Sequence, residues 1–172
     1  MTNITIRHAV QTDAEQIVRL HLRTRRSAFQ NIISEEDILN REKNEEERIE
    51  KWHPYGDIYL VALDGEKIVG FANALMKSDY EYYAEKCYAD LQGIYVDEEY
   101  QNRGIGKAFF DQIIKFLTEN GATKMVIGTL KGSKACFAYE KWGGTLDTSY
   151  TKLYMDKYPQ AFYLYNIHPP RA

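Results

Sequence analysis

The sequence has only two cysteines, Cys87 and Cys136, and no pair of candidate ligands at metal-binding spacing. Two cysteines make no disulfide framework and no zinc module, so no metal is expected. Both read most simply as free thiols of a reducing compartment. Long apolar runs are missing too. Ile58 to Leu63 is far shorter than the ~20 residues of a spanning helix, and Met1 to Arg7 contains no apolar signal core. No membrane partner is expected, and the expected location is cytoplasmic. There is no excess of basic charge: 22 Lys and Arg against 25 Asp and Glu leave a net charge of −3. That balance argues against nucleic acid as a partner. The local group Arg23, Arg25 and Arg26 reads as a basic patch or as a solvated helix face. Internal repeats, low-complexity tracts and linkers are absent.

What is present suits one domain spanning 1–172. With 44% hydrophobic and 27% charged residues, the chain can bury a core without staples, which excludes global disorder. The 14 tyrosines cluster at 80–100 and 150–165. A tyrosine buries a ring and keeps a polar tip, so these clusters read as a cleft lining, a dimer surface or half-buried strand faces.

The spacing predicts the order βααβββαβαββ. Ile4 and Ile6 mark a first strand. Thr12-Asp13-Ala14-Glu15 reads as a capping box opening a helix with Ile17, Leu20 and Ala28 on its apolar face. Ser34-Glu35-Glu36-Asp37 opens a second helix toward Trp52, ended by Pro54. Residues 58–63 and 67–75 form a hairpin about Asp64-Gly65. A tyrosine-rich loop over 77–86 leads to a strand from Cys87 to Val96. A helix from Gly104 to Glu119 carries Ile105, Phe109, Ile113 and Phe116 as its stripe and stops at Asn120-Gly121. A strand at Met125–Gly128, a helix from Ser133 (its cap) to Trp142, and strands about Leu153–Met155 and Phe162–Tyr165 follow. His168-Pro169-Pro170 reads as a tail.

Chemistry concentrates where a strand meets a helix, at Gln101-Asn102-Arg103-Gly104-Ile105-Gly106-Lys107. Backbone N–H groups at a helix start point outward at the positive end of the dipole, and glycines let an anion approach them closely. Arg103 and Lys107 add charge, so the loop suits phosphate or pyrophosphate. A nucleotide P-loop would need Ser or Thr where Ala108 stands, and a dinucleotide fingerprint would need Gly where Phe109 stands. A plain tight turn remains the non-binding reading.

The stretch Gln101 to Gly106 matches [Gln/Arg]-x-x-Gly-x-[Gly/Ala] and resembles the phosphate loop of the GNAT superfamily of acetyl-CoA-dependent N-acetyltransferases. Ala135-Cys136-Phe137-Ala138-Tyr139-Glu140-Lys141-Trp142-Gly143 is similar to that family's second motif, and the element order resembles its fold from residue 4 to 167. Three positions depart from the pattern. Gly132 stands where Asn is usual, with Ser133 beside it to supply a polar contact. Ala138 and Gly144 each stand where the family has Phe.

The resemblance implies a single mixed, mostly antiparallel α/β sheet of six to seven strands flanked by helices. It also implies acetyl-CoA as co-substrate and direct transfer to an amine of a small molecule or peptide. Carried over, Ile94, Tyr95 and Val96 would pair with the pantetheine arm through their backbone. Gln101, Asn102, Arg103, Gly104, Ile105, Gly106 and Lys107 would hold the pyrophosphate. Tyr139, on one face with Ala135, Ala138 and Trp142, would protonate the leaving thiolate, since a phenol stays protonated at neutral pH. Asp90, where many relatives carry Glu, would take the amine's proton through water, with Tyr95, Glu98 and His21 as weaker candidates. The Val96 N–H would hold the carbonyl oxygen as it gains charge. Cys136 reads as structural, and Trp52 and Trp142 as packing residues. A non-catalytic acyl-CoA sensor is the alternative function, and a nucleotide-binding enzyme a third. The acidic groups at 35–37 and 45–47 read as a solvated face or as an attractor of cationic amines. A homodimer through the C-terminal strands is a further expectation.

Overall fold

The computed structural model describes residues 3–168, so Pro169 and Pro170 of the expected tail lie outside the described residues. The elements are β1 (Ile4–His8), α1 (Ala14–Phe29), α2 (Glu35–Glu42), α3 (Glu45–Lys51), β2 (Ile58–Asp64), β3 (Lys67–Leu75), α4 (Glu81–Ala84), β4 (Ala89–Val96), α5 (Ile105–Glu119), β5 (Lys124–Leu130), α6 (Lys134–Lys141), β6 (Thr145–Leu146), β7 (Leu153–Tyr154) and β8 (Tyr158–Asn166). The strands run β1-β2-β3-β4-β5-β8-β6, with β7 on β8. Only β4 and β5 run parallel. The mixed, mostly antiparallel sheet expected from sequence is present. Among the described residues it holds eight strands; the one absent from the expected order is β6 at 145–146, two residues long and too short to show a period.

Both faces of the sheet are covered, which is why β2 reads as a continuous apolar run. Ile58, Leu60 and Ala62 pack toward Phe109, Ile113 and Leu117 of α5, while Tyr59, Val61 and Leu63 pack toward Ile17 and Leu20 of α1. The period of 2 is interrupted twice. The β2–β3 register shifts between Ala62 and Leu63, leaving Val69 extra, so Ile68 and Phe71 face α1 although three residues apart. The β3–β4 register shifts between Asn73 and Ala74, leaving Gln92 extra. Leu91 and Ile94 then both face α5.

Several local expectations are corrected. Thr12 is exposed and does not cap α1. The helix is preceded by a short 3-10 turn whose Asp13 carboxylate accepts from Val10 N–H at 2.9 Å and from both Arg7 nitrogens at 2.7 and 2.9 Å. Buried and charged, Asp13 makes a stronger anchor than a hydroxyl. Phe29, not the exposed Ala28, closes the apolar face. The second helix is two helices, because Asn44 adopts a left-handed φ of 64° and the acidic run 45–47 restarts the chain as α3. The 77–86 segment contains the single turn α4. Cys87 lies outside β4, with φ of 59°. Ser133 occupies the N-cap position of α6, but its hydroxyl lies 3.1 Å from Thr129 Oγ1 instead of capping the helix. The hairpin turn after Asp64 and the stop at Gly121 form where expected.

Phe109 is fully buried at the centre of the α5 packing, and its ring lies 3.0 Å from where a Cβ on Gly70 would stand. Phe109→Ala should therefore cost about 3–5 kcal/mol, read as a lower urea midpoint with an unchanged m-value. A loss below about 1 kcal/mol would mean that α5 is not seated as described.

Candidate active site

Strands β4 and β5 begin side by side and then part. Their ladder holds only Ala89↔Met125 and Asp90↔Val126, although β4 continues to Val96 and β5 to Leu130. The extra residue, Gln92, sits two positions after the last pair and bends β4 away. Beyond it each strand keeps its other neighbour: Ile94, Tyr95 and Val96 stay paired with β3, and Ile127 to Leu130 stay paired with β8. The two facing edges are left open, with a cleft of about 1220 Å³ between and above them.

Backbone polarity in this gap follows from the ladder. Asp97 N–H donates to Val69 C=O at 2.8 Å. Antiparallel alternation then turns the amides of Val96 and Ile94 away from β3 and toward the gap. The Gln101 side chain donates to Val96 C=O at 3.0 Å, which agrees with that orientation. One end of the gap is closed by the turn into α5. Asn102 and Gly104 take positive φ, 59° and 84°. The first α5 bond from this turn is Ala108 N–H to Gly104 C=O at 2.9 Å, so Ile105, Gly106 and Lys107 keep N–H groups with no helical acceptor. This is an anion-binding geometry at the start of a 15-residue helix.

Of the residues proposed from sequence, Ile94, Tyr95, Val96, Gln101, Asn102, Gly104, Ile105, Gly106, Lys107, Ser133 and Tyr139 line this one cleft, as does Glu98. Arg103 does not line it; its guanidinium lies 5.1 Å from the centre of the Tyr100 ring. Lys107 lines the cleft while paired with Asp111. Asp90 stands behind the wall, 1% exposed, on the face away from α5. Its Oδ2 accepts from Ser78 Oγ at 2.6 Å. Burial raises its pKa to about 6 against the pull of the Ser78 hydrogen bond. His21 is not in the cleft wall. It packs edge-on against Tyr95 at 4.6 Å and Phe71 at 5.5 Å.

Tyr139 is buried on the inner face of α6 with its ring against Trp142 and Tyr163. Its hydroxyl has no hydrogen-bond partner among the described residues, and burial raises its pKa. What fixes it is the helix end. Tyr165 Oη donates to Tyr139 C=O at 2.6 Å, and Gly144 N–H donates to the same oxygen at 2.9 Å. A Cβ on Gly144 would meet the Tyr165 hydroxyl at 2.7 Å. The unusual glycine at 144 is therefore the space that Tyr165 occupies. Cys136 donates to Leu130 C=O at 3.4 Å and is half-buried, which fits packing. Trp142 packs on Phe110 at 5.0 Å and also forms part of the cleft wall.

Sequence reasoning missed the opposite wall. Arg25 and Phe29 of α1, Tyr80, Gln92, Tyr154 and Gln160 all line the cleft. They come from four distant segments and carry no shared motif. The tyrosine clusters were the one available signal, and they divide: Tyr95, Tyr100 and Tyr154 line the cleft, Tyr82, Tyr83, Tyr88 and Tyr150 build an aromatic cluster with Phe162, and Tyr80 belongs to both.

Comparison with known proteins gives a consistent picture. The family model described as acetyltransferase (GNAT) family matches residues 26–144. The chain is 26% identical over 142 residues to YuaI of Bacillus subtilis (strain 168), an uncharacterized N-acetyltransferase, covering 81% of this chain and 79% of that one. It is similar in fold to the PaiA N-acetyltransferase of Thermoplasma acidophilum solved with coenzyme A, at TM-score 0.71, 20% identity, and 95% and 99% coverage of this chain and that one. It is similar also to yncA of Salmonella typhimurium solved with its cofactor acetyl-CoA, at TM-score 0.66, 18% identity, and 99% and 97% coverage. Among the described residues no helix is long and apolar enough to cross a membrane, and no group of three or more His, Cys, Asp or Glu is placed to hold a metal.

The cleft wall depends on the Tyr95 ring lying over Gly93, where an added Cβ would stand 2.6 Å from Tyr95 Cε2. Gly93→Ala should push that ring off its stack with Phe71, now 4.9 Å between centres, and cost about 1–3 kcal/mol. Urea unfolding measures the loss. An unchanged midpoint would mean the ring is not held there.

Proposed function

The chain belongs to the acetyltransferase (GNAT) family, and on that premise we propose that it transfers the acetyl group of acetyl-CoA directly to a primary amine. The observation that carries this reading is the parting of β4 and β5 between an anion-binding turn and the Tyr139 hydroxyl. A chain with amide and phosphate groups fits that gap. The open amides of Ile94 and Val96 supply β-type hydrogen bonds, and the N–H groups of Ile105 to Lys107 face the pyrophosphate. Residues 101–107, apart from Arg103, are the phosphate-holding group, with Ser133 on the facing wall.

In the transfer itself the amine nitrogen bonds to the thioester carbon and the carbon–sulfur bond breaks. The Val96 N–H, open to the gap, holds the carbonyl oxygen as it gains charge. Tyr139 gives its proton to the departing sulfur, a role suited to a buried phenol that stays protonated at neutral pH. The amine must shed a proton. Asp90 is its acceptor, reached through water past the cleft-lining Gln92 and Tyr80. No covalent enzyme intermediate enters. Two free cysteines support a cytoplasmic location. The exposed Leu146 and Leu153 on the C-terminal strands support a homodimer, which sedimentation would test.

Acetyl-CoA at a hundredfold over its Kd should raise Tm by roughly 5–10 °C, with no such shift from ATP or NAD. A larger shift from either nucleotide would overturn the assignment of the turn. Acetyl-CoA binding without thiol release to any amine would make the protein a sensor. Tyr139→Phe should lower kcat about a hundredfold or more while keeping the acetyl-CoA shift. An unchanged kcat would remove Tyr139 from the chemistry.

Asp90 gives a signed pH dependence. Its folded pKa of about 6 lies above its ordinary 3.8, so ionising it destabilises the fold as pH rises across that interval. The rate should fall as pH drops through about 6, where the carboxylate takes up a proton. Asp90→Asn should lose that acid limb and most of the rate, yet raise Tm at pH 8, the gain vanishing below the ordinary value of 3.8. A variant retaining the limb would show that another group accepts the proton.

A further inference from the structure

The acidic runs of α2 and α3 are largely spent inside the protein. Arg26 holds Glu35 at 2.9 Å and Glu42 at 2.7 Å, Arg19 holds Glu45 at 3.1 Å, and Lys157 holds Asp37 at 3.0 Å. Three arginines, one each on α1, α2 and α3, behave differently. Arg25, Arg41 and Arg48 are half-buried, and no carboxylate of the described residues lies within 4 Å of any of them. Arg25 and Arg41 converge on one place. The Arg25 and Arg41 guanidinium carbons lie 5.4 and 5.0 Å from the centre of the same Tyr154 ring, and Arg25 Nη2 donates to Tyr154 Oη at 2.8 Å. All three lie close enough to His21 for their charge to depress its pKa, which burial and their field together hold near 3. The His21 Nε2 atom is buried there without a partner. Arg41 also feels Arg25, Arg48 and the Tyr95 side chain.

Two half-buried cations side by side without a counterion are costly, and such a cluster attracts an anion. This one is continuous with the cleft. Arg25, Phe29 and Tyr154 line both the cleft and the smaller apolar groove that reaches Arg41. It is built from α1, α2 and Tyr154 of β7, whereas the turn at 101–107 opens α5. The carboxylates that share the groove, Asp37 and Glu42, are already engaged.

Resting on the acetyl-transfer reading above, we propose that the acceptor is an amine that also carries an anionic group, a carboxylate or a phosphate, and that Arg25 and Arg41 receive that group. A guanidinium fork suits either oxyanion bidentately. The same field repels a polycation, so a polyamine is selected against.

The test uses matched acceptors in a thiol-release assay with saturating acetyl-CoA. The twenty L-amino acids are set against their C-terminal amides, phosphoethanolamine against ethanolamine, and spermidine serves as the polycation. At least one anionic member should exceed its uncharged partner about tenfold or more in kcat/KM. The pair that shows it distinguishes carboxylate from phosphate. Arg25→Gln combined with Arg41→Gln should abolish the preference mainly through KM, and the two lysine variants should restore part of it. The acetyl-CoA shift in Tm should persist in every variant. Equal or better turnover of the uncharged partners or of spermidine would overturn the proposal, and so would loss of the acetyl-CoA shift, which would assign the arginines to the cofactor. If no probe turns over, calorimetric binding in the presence of CoA decides: tenfold tighter binding of an anionic member, lost with the glutamine substitutions, supports the proposal, and no difference within any pair overturns it. An absent acetyl-CoA shift in the wild-type protein would instead refute the transfer reading itself.

Discussion

The incomplete ladder between β4 and β5 is the constraint on which the rest depends. A parallel pair normally continues for the length of its strands, because each lost bond leaves two backbone groups unpaired. Here pairing stops at Asp90 and Val126. The bulge at Gln92 directs β4 outward while β3 still holds it, and β8 holds β5, so neither strand can swing back to close the gap. The site is thus open peptide edge held rigid from both sides. The α5 packing around Phe109 and the Tyr165 clasp on α6 keep the two helix ends that bracket the gap in register with it.

Charge is divided along this cleft with some economy. The turn at 101–107 offers neutral N–H groups and a helix dipole, suited to a phosphate that must bind and leave. The α1–α3 side offers whole positive charges around Tyr154, while nearly all neighbouring acids are paired elsewhere. Asp90 lies between these regions behind the sheet, and burial rather than any cation sets its proton affinity. Burial likewise holds the Tyr139 phenol neutral. Desolvation shifts both groups, so the packing of the sheet and the proton affinity of these side chains cannot be varied independently.

Much of this was legible in the sequence where a signal is local. Gly104 reads as a turn because only a residue tolerant of positive φ fits there, and the α5 stripe from Ile105 to Ile113 reads as a helix because its spacing is close to 3.6 residues. The face of α6 that carries Tyr139 follows from the same period. The errors were also local. Asp13 outcompeted Thr12 as the anchor of α1 through a partner, Arg7, on another element. Asn44 broke an otherwise continuous helical pattern with one left-handed residue. The two-residue β6 leaves no period to read.

The sequence by itself determined the order of the main elements, the glycine turn that opens α5 and the inward face of Tyr139, since each is set by residues within one or two turns of chain. Only the tertiary structure decided where β4 leaves β5, which tyrosines face the cleft, and which arginines remain without a counterion. Those outcomes depend on pairings between residues as far apart as Arg25 and Tyr154 or Asp90 and Val126, and whether a charge is spent or free is a property of the whole packed set.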